Sequence, residues 1–344
     1  MAAPVRSASS GARPSATTAC SSRWGAGRGR PPWPAAAEGP GVYPFVTLPD
    51  LEALDRAARP GMTVAVIGGG LIGVEAAEVL HLRGLRTHFL IREPWYFPVA
   101  LDAQEAEIVA VHIRHHGVDC RTNYPVDSFD RRGEGFRIND ELDVDLVVAA
   151  LGVVPNTGFL AESDVALDAR SGAIDTRDNL ESTTAPGVFA AGDCANVAWA
   201  DGSRRPEQLW YTARDQGRAA GRTMLGDEVA YRRGTWYNSA KFFDVEYTTA
   251  GWIPPAGSDA RPGWETWFQC APGAAVSQRI VCRDGVVKGF NALGSRWDHG
   301  VWLRWIHERR PLAYVLDHMD DARFDEEFMP RFRVLPSATL TPGV

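Results

Sequence analysis

The chain has 344 residues, enough for about two domains at roughly 100–200 residues each. Hydrophobic residues make up 45% and charged residues 23%, an ordinary globular balance, and the formal charge of −7 excludes a polyanion-binding surface over the whole chain. No run of about 18 apolar residues is present, so no membrane-spanning helix is expected, and nothing in the chain suggests a nucleic-acid partner.

Residues 1–44 are rich in Pro, Gly, Ala, Ser and Arg and hold one acid, Glu38. Such a segment buries too little apolar surface to offset the entropy of ordering it, so a disordered low-complexity segment is predicted. An organellar transit peptide is the weaker reading, because Pro31, Pro32 and Pro34 would break an amphipathic helix. The run from Gly25 to Arg30 superficially resembles a nucleotide loop. No apolar strand precedes it, and it is read as a decoy.

Order is expected from about Tyr43. Residues 48–58 have helical spacing with Asp50 as N-cap. Thr63 to Ile67 is a short apolar run without alternation, as suits a parallel strand covered on both faces. A helix over 72–83 ends at Gly84, with a face of Ile72, Ala76, Val79 and Leu80. A second buried strand follows at 88–91, then a helix over 102–116 and another strand at 145–151. Alternation at this spacing predicts a doubly wound α/β sheet. Residues 173–226 form a second unit, with a strand at 188–191 and a helix near 209–225. From Val229 the alternating, Trp-rich runs predict an antiparallel α+β module over 227–335, ending in helix broken at Pro311.

The central motif is Gly68-Gly-Gly70-Leu-Ile-Gly73, set directly between a buried strand and a helix. Gly68 permits the tight turn, Gly70 lets the backbone approach a pyrophosphate, and Gly73 lets helix and strand pack closely. The diphosphate would lie on the helix N-terminus. The end of the next strand offers both an acid that would select NAD, Glu93, and an Arg that would receive the 2′-phosphate of NADP, Arg92; Arg92 is nearer the strand end, and Ile91 stands where the acid is expected. NADPH is therefore favoured over NADH.

Gly68 to Glu75, Ala150-Leu-Gly-Val-Val-Pro-Asn-Thr157 and Thr184-Ala-Pro-Gly-Val-Phe-Ala-Ala-Gly-Asp193 occur in that order. Together they resemble the pyridine nucleotide-disulphide oxidoreductase superfamily, in particular its ferredoxin-reductase-like flavoproteins, over residues 45–226. The resemblance implies a Rossmann-like NAD(P) domain over 45–165 and a residual FAD-binding domain over 166–226. It implies that Asp193 hydrogen-bonds the ribityl chain of FAD, that Gly192 admits the cofactor, and that the helix carrying Trp210 and Gln216 points its N-terminus at the flavin. Glu75 matches an acid near the nicotinamide; its alternative is an acid in the first helical turn that complements the dipole. Gly152 and Pro155-Asn156 would shape the loop near the dinucleotide.

The resemblance is incomplete. The family's opening FAD-binding βαβ unit is not found before Tyr43, although Glu38 to Phe45 is similar to the linker that follows it. The implied enzyme moves hydride from NAD(P)H to FAD and on to an acceptor that the residues do not name: a ferredoxin-like protein, a quinone or a disulphide. The alternative is a truncated, inactive NAD(P)-binding and dimerising protein without stable FAD.

Five separated cysteines (Cys20, Cys120, Cys194, Cys270, Cys282) form no C-x-x-C pair, which points to a reducing compartment, the cytoplasm. His112, His115 and His116 have metal-compatible spacing, but histidines near a helix C-terminus are favourable without an ion, so no metal ligand is assigned. Trp297 to His299 and His307 to Arg310 could serve acid–base chemistry. With so many aromatic neighbours, core packing or a homodimer face is the preferred reading.

Overall fold

The computed structural model describes residues 17–18, 26–28, 39–199, 202–257, 262–271, 273–324 and 341–342. The chain divides into two units, one centred on Val153–Gly234 with described residues from the first 29, the other holding the rest up to Gly152 and everything from Thr235.

In the larger unit, β1 (Val42–Pro44), β2 (Thr63–Ile67), β3 (Arg86–Leu90), β4 (Asp119–Arg121) and β8 (Leu146–Ala149) form a parallel sheet in the order β1-β8-β2-β3-β4. Every residue of β2 is buried, as its unbroken apolar run requires. The helix α1 (Leu48–Ala57) is capped by Thr47, not Asp50. Asp50 sits one turn in and accepts the Thr47 backbone N–H at 2.9 Å, so the two residues form a reciprocal box. The next helix, α2 (Leu71–Leu82), buries Val74, Ala76, Ala77 and Leu80, and leaves Ile72 and Val79 exposed, so its inner face is rotated from the one expected. In α3 (Ala103–His115), Asp102 and Glu105 make the same reciprocal box. Between β4 and β8 the connection is an antiparallel meander of β5 (Phe129–Arg132), β6 (Gly135–Ile138) and β7 (Leu142–Val144), with Phe129 stacked on Phe136.

The C-terminal antiparallel sheet belongs to the same unit. Its strands β9 (Tyr237–Phe242), β10 (Val245–Gly251), β11 (Trp264–Cys270), β12 (Ser277–Arg283) and β13 (Val286–Leu293) run in the order β9-β10-β13-β12-β11, with Thr341–Pro342 beside β11. Phe242, Tyr247 and Leu293 share a core with Val64, Phe89 and Val109. The two units divide between Gly234 and Thr235, a few residues beyond the expected 226/227. Arg279 on β12 ties the layers together: it is 2% exposed, paired with Asp102 and Glu105, and Asn291 on β13 donates to the Ala100 carbonyl at 2.7 Å.

The terminal helices α5 (His299–His307) and α6 (Leu312–Asp317) break at Pro311, as expected. Trp297, just before α5, and Trp302 and Trp305, on α5 itself, are buried, with Trp302 stacked on Phe290 at 3.7 Å. These three tryptophans fill the module's own core and form no external face. His299 lies against Tyr237 with its Nε2 2.9 Å from the Asn238 carbonyl, and burial lowers its pKa.

In the smaller unit, Ala195–Ala198 pairs with Ile174–Asp175 and Arg204–Arg205. The helix α4 (Trp210–Met224) packs over the turn Gly192–Cys194 and buries Gln216, Ala219 and Ala220. Two segments of the stretch expected to be disordered are paired here: Thr17–Thr18 lies parallel to Val188–Phe189, and Ala26–Arg28 antiparallel to Val153–Pro155. Backbone pairing needs no apolar side chains, so composition hid both strands. The described part of the Gly25–Arg30 run is one of them. Pro31, Pro32, Pro34 and Glu38, on which the transit-peptide reading turned, lie outside the described residues, as does Cys20.

Candidate functional site

A cleft of about 760 Å³ opens at the carboxyl ends of β2, β3 and β8. Chain order reverses between β2 and β8, the place where open α/β sheets bind ligands. Gly68, Gly70, Arg92, Glu93 and Gly152, all expected at the site, line this cleft.

The three motif glycines differ in what surrounds them. Gly68 has φ +123°, and a Cβ there would collide with the Ala150 carbonyl. A Cβ at Gly73 would strike the Gly68 carbonyl and come within 3.1 Å of the Phe89 ring, so helix and strand meet there without side chains between them. Gly70 differs from both. It is the N-cap of α2 with φ −86°, and a Cβ on it meets nothing within 4 Å. Neither strain nor packing demands glycine at 70. The open side faces the cleft beside a helix N-terminus that no side chain caps, the arrangement that receives an anion.

At the end of β3, Ile91 is fully buried and its backbone bonds to Arg121 and Tyr124, so it presents nothing to a ribose. The Arg92 side chain is 80% exposed, and its guanidinium bonds to Glu93 at 2.7 Å. The far wall, Phe97–Val99 and Tyr124–Asp127, comes from connections between elements.

In the smaller unit, Gly192 has φ +79°, and a Cβ on it would lie 3.3 Å from the Ala213 Cβ, which fixes how closely the turn approaches α4. Its N–H donates to Gln216 Oε1 at 2.7 Å. Asp193 follows, half-buried, and desolvation raises its carboxyl pKa against the pull of its own backbone N–H. The Nε2 of Gln216 is buried with no partner among the described residues. No side chain caps the α4 N-terminus, and Trp210 there is 70% exposed.

Among the described residues, Cys120, Cys194, Cys270 and Cys282 form no disulphide with one another. Burial pushes Cys120 and Cys282 up to about 12, which removes them as nucleophiles at neutral pH.

The family model for pyridine nucleotide-disulphide oxidoreductases matches residues 24–217. The chain belongs to this family. The ferredoxin reductase subunit of 5,5'-dehydrodivanillate O-demethylase from Sphingobium sp. is 28% identical over 286 residues, 78% of this chain and 61% of that protein. An NADH oxidase of Methanocaldococcus jannaschii is 28% identical over 197 residues, 56% of this chain and 43% of its own length. Among solved structures, the covalent putidaredoxin reductase–putidaredoxin complex superposes with a TM-score of 0.69 at 19% identity, covering 83% of this chain and 68% of that one. The chain thus spans about three fifths of the first relative and under half of the second.

Not every expected residue reaches the cleft. Glu75 lies beyond the first turn of α2, which holds no acid, so the dipole reading does not apply. It does not line the cleft either, and its pKa is raised first by desolvation and then by Glu78. Pro155 belongs to the strand beside Gly192–Cys194, in the smaller unit, rather than to the dinucleotide loop. Family membership also starts earlier than the expected residue 45. The strand Ala26–Arg28 falls inside the matched range, and its Gly-Arg composition gave no sign of it.

Proposed function

We propose that the chain supplies the NAD(P)H site and part of the flavin site of an FAD-dependent NAD(P)H oxidoreductase. The observation that carries this reading is Gly70, a glycine that neither strain nor packing requires and whose open side faces the cleft at a helix N-terminus. Backbone N–H groups of the Gly68–Gly73 loop would hold the diphosphate, and Arg92 a 2′-phosphate, which favours NADPH. Glu93 would then exchange part of its bond to Arg92 for the ribose.

The smaller unit fits a flavin at its polar end. Asp193 is a half-buried carboxylate whose desolvation a ribityl hydroxyl would relieve, and Gln216 fixes the turn beneath it. The uncapped N-terminus of α4 supplies positive dipole for the pyrimidine end. When bound, FAD accepts hydride from NAD(P)H and releases electrons singly or in pairs. The protein's part is positioning and electrostatics, with no side-chain nucleophile required.

A small ferredoxin-like protein is the acceptor best supported. The alignment with the ferredoxin reductase subunit covers 78% of this chain, so it necessarily extends into the C-terminal sheet. Five separated cysteines without a C-x-x-C pair support a reducing compartment, and no described helix is long and apolar enough to cross a membrane.

The test is a steady-state assay of the FAD-supplemented chain with NADPH or NADH and an artificial one-electron acceptor. Turnover that depends on both FAD and NADPH is expected. NADPH binding without FAD retention or turnover would instead favour the non-catalytic binding protein.

A further inference from the structure

The last turn of α3 carries His112 and, as its C-cap, His116, four residues apart on one face. Opposite them the β9–β10 hairpin turns at Phe243-Asp244. Asp244 Oδ1 lies 2.5 Å from His112 Nε2 and 2.9 Å from His116 Nε2, and the two ring nitrogens are 3.1 Å apart. Three donor atoms from two elements, 128 residues apart in the chain, therefore converge on one point.

Hydrogen bonding alone satisfies this triangle poorly. If both rings donate to Asp244, two N–H groups face each other at 3.1 Å; if one does not, its lone pair is left facing the same carboxylate. A divalent ion accepts all three lone pairs at once. Donors about 2.0–2.2 Å from a tetrahedral zinc stand roughly 3.3–3.5 Å apart, so small rotamer movements would open the triangle to fit. The helix C-terminus adds negative dipole, which favours a cation.

The hairpin is built to hold Asp244 there. Phe243 takes φ +58°, a conformation costly for a bulky residue, and its buried ring stacks on His116 at 4.9 Å. Glycine would make this turn without strain but would lose the stacking that fixes His116.

We propose that His112, His116 and Asp244 form a binding site for one divalent transition-metal ion of the zinc class, with its fourth position open to water. The chemistry of the donors, two imidazoles and a carboxylate, selects this class over calcium or magnesium. The ion would fasten the C-terminal end of α3 to the C-terminal sheet, as Arg279 and Asn291 fasten its beginning. The site is separate from the nucleotide cleft, whose lining it does not share. Sequence spacing alone could not reveal it, because Asp244 is remote in the chain.

The test uses the untagged full-length chain, stripped with chelator and titrated with zinc chloride by calorimetry, with zinc content measured after desalting. One zinc per chain is expected, together with a higher melting temperature. His112→Asn/His116→Asn and Asp244→Asn should each weaken binding at least tenfold and lose the zinc-dependent thermal shift. Cys270→Ser, which removes the exposed thiol near α3, should leave both unchanged. Equal zinc binding by the histidine double variant and the parent, or binding lost in Cys270→Ser, would overturn the proposal. Melting of the metal-free variants shows whether they are folded, and Asp244→Asn, in an exposed turn, serves if the double variant is not.

Discussion

Gly192 donates its backbone N–H to the side chain of Gln216 at 2.7 Å, which ties the turn bearing Asp193 to the helix whose N-terminus lies beside it. Asp193 is consequently held half-buried whether or not a ligand accepts its charge. Desolvation raises its folded pKa above the unfolded value, so its contribution to the ligand-free protein is most favourable below the unfolded value and is lost as pH rises through the folded one. Asp193→Asn should therefore raise the melting temperature of the FAD-free chain at neutral pH, flatten that pH dependence, and lower FAD retention. Thermal melts from pH 4 to 8, with and without FAD, check all three.

Gly70→Ala separates ligand contact from folding. The added methyl meets no protein atom within 4 Å, so stability should stay within about 0.5 kcal/mol of the parent. It would occupy space next to the loop N–H groups, and NADPH affinity should fall at least tenfold by calorimetry. Gly73→Ala should do the reverse in order of severity: its methyl would strike the Gly68 carbonyl, costing about 1–3 kcal/mol before binding is measured.

Arg92→Ala tests the coenzyme preference. Removing this exposed guanidinium should raise the NADPH dissociation constant about tenfold, near the 1.5–3 kcal/mol typical of a hydrogen bond to a charged group, and leave NADH binding unchanged. An unchanged ratio of the two constants would remove Arg92 from the 2′-phosphate.

Arg279→Met tests how the C-terminal sheet is joined to α3. It would leave Glu105 fully buried, where desolvation already pushes its pKa up and Arg279 is the main opposing influence. A loss of about 3–5 kcal/mol is expected in urea melts. Pairing the change with Glu105→Gln should recover part of that loss.

The parallel sheet was legible because its signals are local. Five buried residues in β2, three glycines with distinct duties and Gly84 ending α2 all act within a few positions of themselves. The glycine loop and Arg92, which line the cleft, are local signals of the same kind. What sequence could not show depends on partners distant in the chain. Thr47 displaced Asp50 as cap because both residues make a reciprocal box. Ala26–Arg28 is a strand only because Val153–Pro155 lies beside it. The cleft's far wall, including Tyr124, comes from loops without a motif, and the sharing of one core by Phe242 and Val64 has no sequence signature. Glu75 carried a family expectation, and no position in the nucleotide cleft accompanies it.

The most direct test of the central claim is the absorbance spectrum of the chain after FAD loading and desalting, followed anaerobically on addition of NADPH. A retained flavin band that bleaches with NADPH is expected. A colourless protein after desalting, or a flavin band that NADPH leaves unchanged, would contradict an NAD(P)H-to-flavin oxidoreductase built on these residues.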